Sequence, residues 1–266
     1  MKTILMTGAG SGLAEGAALG LAQQGHRVIA TVEIWPQVSA LKERAQQLGV
    51  RLEVEKLDIT DAQDRDSIFA RYGAAVDVVV ANAAIGETGP IAEIPVSRVR
   101  KVFETNVFST LEFVQPYAKT FASRGQGKIV LVSSIAGFTT FPYLAPYVAS
   151  KHALEGISQL LHEELAPLGV KVATINPGPF RTGFNDRMYD TLDQWYDPET
   201  NFTPEAPIRE TQQLFAGDDL QLDPSSMIDE MVRLIPLDEH AFRNVHPARF
   251  EEDVKRYQES LWDRQM

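Results

Sequence analysis

The chain has 266 residues, 44% of them hydrophobic and 23% charged, a net charge of −11 and no cysteine. That size and balance suit one well-buried globular domain spanning 1–266; the missing cysteines exclude disulfides, thiolate metal sites and thiol nucleophiles. The acidic balance argues against a nucleic-acid partner, which needs clustered Lys and Arg, and the five histidines (26, 152, 162, 240 and 246) show no metal-ligand spacing, so no metal is expected.

The first residues run directly into the apolar stretch TILMT, 3–7, without a charged leader, and nowhere do 18 consecutive apolar residues occur. No membrane partner is expected, and a cytoplasmic location is. Further runs of strand length follow at 27–32, 51–57, 76–81, 128–133 and 170–175. Because they are apolar on both faces, they suit buried parallel strands. Helical spacing fills the gaps, at 12–24, 37–48, 61–72, about 96–123 and 147–167. This alternation predicts an α/β fold: a doubly wound, Rossmann-type parallel sheet of about seven strands with helices on both faces.

After Pro177 the rhythm fails. Residues 179–225 are rich in Pro, Asp, Thr and aromatics, and ten of the acidic residues fall between 186 and 223, including Asp218 and Asp219. A stretch of that length without strands reads as a lid over a binding site. Helical patterns resume at about 225–234 and 247–263, the latter after a short strand near NVH.

Two stretches carry chemistry by their spacing. The first strand runs into Thr7-Gly8-Ala9-Gly10-Ser11-Gly12-Leu13-Ala14 and then a good helix former, the arrangement in which backbone N–H groups and the helix dipole converge on a pyrophosphate. Gly8 would allow the tight turn and Gly12 the close approach. Ala14 takes the third glycine's place, where helix packs on sheet and one methyl is tolerated. The second stretch places Tyr147 and Lys151 four residues apart on a helix, one turn from each other on one face. An ammonium about 5 Å from the phenol would stabilise the phenolate by about 3 kcal/mol, or two pKa units. That would make Tyr147 a plausible general acid and base. Each piece alone has a bland reading: a plain turn, a helix surface pair, a Ser-Ser turn, an Asn facing water.

In order and at matching separations stand Gly8-xxx-Gly12-x-Ala14, Asp58, Asn82-Ala83, Asn106, Ser134, Tyr147-xxx-Lys151 and Pro177-Gly178-xxx-Thr182. Over roughly residues 1–185 this resembles the short-chain dehydrogenase/reductase family. The resemblance implies a nicotinamide dinucleotide cofactor. Ser11, Gly12 and Leu13 would meet the pyrophosphate, Asp58 and Ile59 the adenine, Asn82, Ala83 and Ala84 the adenine ribose, and Pro177, Gly178, Phe180 and Thr182 the carboxamide. One departure is Ala81-Asn82-Ala83-Ala84 where the family usually has Asn-Asn-Ala-Gly. It also implies that Lys151 bonds the nicotinamide ribose, Ser134 holds the substrate oxygen, and Asn106 anchors a water passing the proton on from Lys151.

Cofactor choice turns on the end of the second strand. Glu33 there can accept from the ribose hydroxyls and repel a 2′-phosphate, which favours NAD over NADP; the competing reading has Glu33 pointing to solvent, with Val32 where the family's NAD-selective Asp usually stands. Aromatic and apolar residues, among them Phe141, Tyr143, Phe184 and Met188, suggest a pocket for a neutral alcohol or ketone, and the acidic lid disfavours polyanionic substrates. A homodimer or homotetramer through the two long helices is expected. Competing functions are a catalytically silent NAD(H) sensor or scaffold, and a halohydrin dehalogenase, which would carry Arg in place of Lys151 and a bulkier glycine turn.

Overall fold

The computed structural model describes residues 1–217 and 220–265; Asp218 and Asp219 of the acidic run lie outside the described residues. Seven strands form one sheet: β1 (Thr3–Met6), β2 (Arg27–Val32), β3 (Glu53–Lys56), β4 (Val78–Ala81), β5 (Gly127–Val132), β6 (Val170–Pro177) and β7 (Arg243–His246), in the order β3-β2-β1-β4-β5-β6-β7. Every neighbouring pair is parallel. Parallel strands need crossovers, and helices supply them: α1 (Gly12–Gln23), α2 (Trp35–Gln47), α3 (Ala62–Tyr72), α4 (Val96–Phe103), α5 (Ser109–Arg124) and α6 (Ala145–Leu165).

Both faces are covered, which is why the strands read as apolar throughout. One core packs Ile4, Met6, Val28, Val80 and Val130 beneath α1, α2 and a later helix, α9 (Ser225–Leu234), while the other sets Leu5, Ile29, Val79, Ile129 and Leu131 against Phe113, Tyr117 and Phe121 of α5. Chain order reverses between β1 and β4, so a crevice opens beyond their carboxyl ends, where open α/β sheets hold ligands.

The helix expected over about 96–123 is not continuous. A π-helical turn, Glu104–Phe108, separates α4 from α5, and it carries Asn106. The stretch 179–225, read as irregular, contains α7 (Phe184–Tyr189) and α8 (Glu205–Ala216), with Phe180 bridged to Leu222 at its base. The chain closes with α10 (Arg249–Ser260) after β7. Among the described residues no helix is long and apolar enough to cross a membrane, and no group of His, Asp and Glu could hold a metal ion.

Candidate active site

The glycine turn is built by contacts with β4. Thr7 Oγ1 accepts from Asn82 N at 2.9 Å and Ala83 N at 3.0 Å, while Asn82 Nδ2 donates to Thr7 O at 3.1 Å. The chain is drawn in so closely that a Cβ on Gly8, at φ +68°, would lie 2.8 Å from Ala83 Cα. Gly12, at φ +66°, opens α1 and leaves a methyl only 3.1 Å from Thr182 Cβ, so the helix start and the loop after β6 face each other. Ser11 offers no side-chain cap. The first-turn N–H groups of α1 therefore keep their positive end for an anion, which fits a pyrophosphate. Ala14 is buried in the core between α1 and the sheet.

The remaining nucleotide residues fall around this crevice with individual differences. Val32 is buried at the end of β2, and the exposed Glu33 follows it. Asp58 folds its Oδ1 back onto Thr60 N and Oγ1, at 2.9 and 2.7 Å, and Ile59 is buried. Asn82, Ala83 and Ala84 continue from β4, half-buried. Pro177 ends β6; Gly178 N donates to His246 O at 2.9 Å. The Phe180 ring lies in the core and stacks at 6.2 Å on His246, so its backbone is what remains for a cofactor.

At the reacting end, α6 carries Tyr147 and Lys151 toward the carboxyl end of β5. The Lys151 Nζ is 5.7 Å from the Tyr147 ring centroid and donates to Val132 O at 2.8 Å. Lys151 is 3% exposed. Burial pushes its ammonium down to about 8, with the Glu155 carboxylate opposing. Ser134 caps a short 3-10 turn, accepting from Ala136 N at 3.1 Å, and its hydroxyl acts on the Tyr147 phenol in the direction that favours phenolate. The expected depression of Tyr147 is not what the free protein has. Burial pushes the phenol up to about 12 and the Ser134 hydroxyl only partly opposes it, because the dry site penalises phenolate more than one neighbour relieves it.

Asn106 does not face water. Its Oδ1 accepts from Ile85 N at 2.9 Å, and its Nδ2 donates to Ile85 O and to Ser150 Oγ, both at 2.9 Å. One donor and the acceptor thus position the segment after β4, the other donor ties the π-turn to α6, and a π-turn is the backbone irregularity that commonly accompanies functional helices.

Above Tyr147 lies the lid. Phe184 sits 5.4 Å from the Tyr147 ring, Phe141 meets Phe215 edge-on at 5.2 Å, and Met188 is buried against Gly86. These share one apolar cluster with Leu144, Val148 and Tyr189. Tyr143 is half-buried and holds a left-handed φ of +67°, a strained backbone for an aromatic residue, with its carbonyl accepting from Gly89 N at 2.7 Å.

Sequence reasoning missed the segment that holds the lid. Thr88 Oγ1 donates to Met188 O at 2.8 Å, Trp195 Nε1 donates to Thr88 O at 3.1 Å, and Arg98 bridges the buried Glu87 at 2.8 Å and Gln194 at 3.2 Å. Glu93 accepts from Asn201 Nδ2, Phe202 N and Thr203 N at 3.0, 2.6 and 2.9 Å. It also missed Glu155, although its place eight residues beyond Tyr147, on the same helical face, was a visible signal.

Residues 2–193 match a family model described as short chain dehydrogenase. Over 185 residues the chain is 39% identical to YusZ of Bacillus subtilis, an uncharacterized oxidoreductase, covering 68% of this chain and 66% of that relative. It is 31% identical over 201 residues to 17-beta-hydroxysteroid dehydrogenase type 1 of Homo sapiens, covering 73% of this chain and 61% of the relative. Among solved structures, a short-chain dehydrogenase from Streptomyces avermitilis superposes with a TM-score of 0.78 at 28% identity, covering 98% of this chain and 92% of that one.

Proposed function

The chain belongs to the short-chain dehydrogenase/reductase family of oxidoreductases, and we propose that it moves a hydride between NAD and a neutral, apolar or aromatic secondary alcohol or ketone. The observation that carries this reading is the meeting of Tyr147, Lys151 and Ser134 beyond the end of β5, under an apolar lid, with the uncapped start of α1 in the adjoining crevice. The bound nicotinamide would supply the hydride donor or acceptor.

Everything else falls to the chain's own groups. Ser134 Oγ would hold the substrate oxygen as charge builds on it. Tyr147, kept as a phenol by burial, would give its proton to that oxygen when a ketone is reduced. In the other direction the phenol must first release its proton. A Lys151 ammonium 5.7 Å from the ring would offset about 3 kcal/mol of that cost at an effective dielectric near 20. Phe184, Phe141 and Met188 would exclude water and favour apolar substrates. The human relative's name, a steroid dehydrogenase, supports that substrate class, as does the lid's acidic surface, which opposes polyanions.

The preference for NAD rests on Glu33, exposed just past β2, where an acidic side chain would accept from ribose hydroxyls and repel a 2′-phosphate. The reading includes a homodimer or homotetramer through α5 and α6, and a cytoplasmic setting. The test compares thermal shifts with NAD and NADP, then screens aromatic and aliphatic secondary alcohols with the preferred one. Tyr147→Phe should keep NADH binding and lose turnover by a factor of about 100 or more. Full turnover in that variant would overturn the mechanism, and NADH binding without any alcohol oxidised would favour a sensing role.

A further inference from the structure

Glu155 is a buried charge with no part in the chemistry above. It stands on α6 one turn beyond Lys151 and two beyond Tyr147, so the three project from one face, and it is 4% exposed. Both its oxygens are engaged. Oε1 accepts from Asn176 Nδ2 at 2.6 Å, and Oε2 from Arg243 Nε at 3.3 Å. Asn176, at the end of β6, is fixed in turn by Thr174 Oγ1, 2.8 Å from its Oδ1, and its Nδ2 reaches Ser134 O at 3.4 Å. Gly137 packs on this carboxylate so closely that a Cβ there would lie 2.8 Å from Glu155 Cγ. Two strands, β6 and β7, and a turn thus meet at one buried side chain, between the Ser134 backbone and the helix bearing Lys151.

A carboxylate is kept in such a dry place only with partners. Arg243 supplies one positive charge, but it is partly exposed, and its guanidinium is shared with Gln159 and the rings of Phe138 and Phe242. Lys151 stands one turn away on the same buried face of α6, with its Nζ on Val132 O at 2.8 Å. We propose that Glu155 is a positioning residue that keeps Lys151 in its ammonium form at working pH and, through Asn176, fixes the backbone on which Ser134 stands. The proposal rests on the functional reading given above.

The charges around Lys151 support this assignment. Burial drives its ammonium down to about 8, and Glu155 opposes that. From the other elements packed on this part of α6, β7 contributes Arg243, whereas β5, β6 and the turn at Ile135–Gly137 face it with the neutral Val132, Asn176 and Ser134. On α4 and the π-turn, Arg98 is tied to Glu87, while Arg100, Lys101 and Glu104 are exposed. On α6 itself Tyr147 is neutral and His152 is exposed.

The test uses the full chain as wild type, Glu155→Gln and Arg243→Gln, with the pH profile of ketone reduction as readout. Activity that needs the Lys151 ammonium falls as pH rises through its pKa. In Glu155→Gln the alkaline limb should move to lower pH by about one unit. In Arg243→Gln, which frees the carboxylate from its competing cation, the limb should move to higher pH. A purely structural Glu155 would lower kcat or Tm in both variants and leave the limb in place. An unmoved limb in a folded Glu155→Gln, or two shifts of the same sign, overturns the proposal; if Glu155→Gln does not fold, the Arg243→Gln direction decides. The Lys151 ammonium is also titrated by NMR of 13C-labelled lysines, assigned with Lys151→Arg, in protein without cofactor. That readout needs no turnover: a wild type inactive on every alcohol and ketone would sink the functional reading, while the NMR shift between wild type and Glu155→Gln would still accept or reject the role of Glu155.

Discussion

Asn106→Ala is the substitution whose cost follows most directly from the geometry. Asn106 is 1% exposed, and its amide makes three hydrogen bonds of 2.9 Å, two to the Ile85 backbone and one to Ser150. Ser150 retains its own donation to Tyr147 O at 2.7 Å, so it is not stranded. The Ile85 N–H and C=O are. Each buried backbone group without a partner costs about 1–3 kcal/mol, and Ile85 is half-buried, which puts each in the lower half of that range, about 1.5 kcal/mol, and the sum at about 3 kcal/mol. With about 2.1 cal/mol/K of unfolding entropy per residue, a chain this long has about 560 cal/mol/K, so Tm should fall by about 5 °C. Scanning calorimetry on protein without cofactor measures this. Ile85 follows the Asn82–Ala84 run, so NADH affinity, followed by fluorescence, should weaken several-fold at a temperature where the variant is folded. A Tm within about 1 °C of wild type, with affinity intact, would refute the claim that Asn106 holds this segment in place.

Three further substitutions follow from buried groups. Lys151→Met should raise stability at pH 7 by about 2 kcal/mol in chemical denaturation: relieving a shift from 10.5 to about 8 is worth up to about 3 kcal/mol, less about 1 for the hydrogen bond to Val132. Between those two pH values the unfolded chain holds a proton that folded wild type has released. Wild-type stability therefore rises across that window and the variant's advantage shrinks there; an advantage constant from pH 7 to 10.5 would contradict the assignment. Lys128 Nζ donates to Leu234 O, Ile235 O and Leu237 O at 2.9, 3.1 and 2.9 Å, which takes three N–H groups and hence the ammonium. Lys128→Met should strand those carbonyls at the end of α9 and cost about 2–3 kcal/mol, read as a lower urea midpoint without loss of turnover per folded molecule. Ala14→Gly should cost about 1–2 kcal/mol through helix propensity and a lost buried methyl, with NADH affinity unchanged; a large loss of affinity would mean that the glycine turn is misplaced.

What the sequence made legible is local. Val78–Ala81 is apolar at every position because both faces of β4 are covered, and a doubly covered strand leaves that mark directly in the residue order. Tyr147 and Lys151 share a face because they are four apart on one helix, whatever surrounds them. The π-turn at Asn106 left no such mark, since one extra residue in a turn hardly disturbs helical spacing, and the partner of its Asn106 side chain is Ile85, 21 residues away. The lid illustrates the same limit. Prolines at 204 and 207 and a dense run of acids hide α8, which Ile208 and Gln212 bury from one face, and its neighbours at 201–203 are held by Glu93, more than a hundred residues earlier. The protonation of Tyr147 was misjudged for a related reason. Spacing alone supplies the cation but not the burial, and burial is the larger effect in the free protein. A phenol held at about 12 beside an ammonium held at about 8 is a proton donor at neutral pH, so any depression of Tyr147 has to come with the occupants of the site. Under the proposed function that state suits giving a proton to a ketone, and oxidation of an alcohol would draw on the positive charge that an oxidised nicotinamide brings.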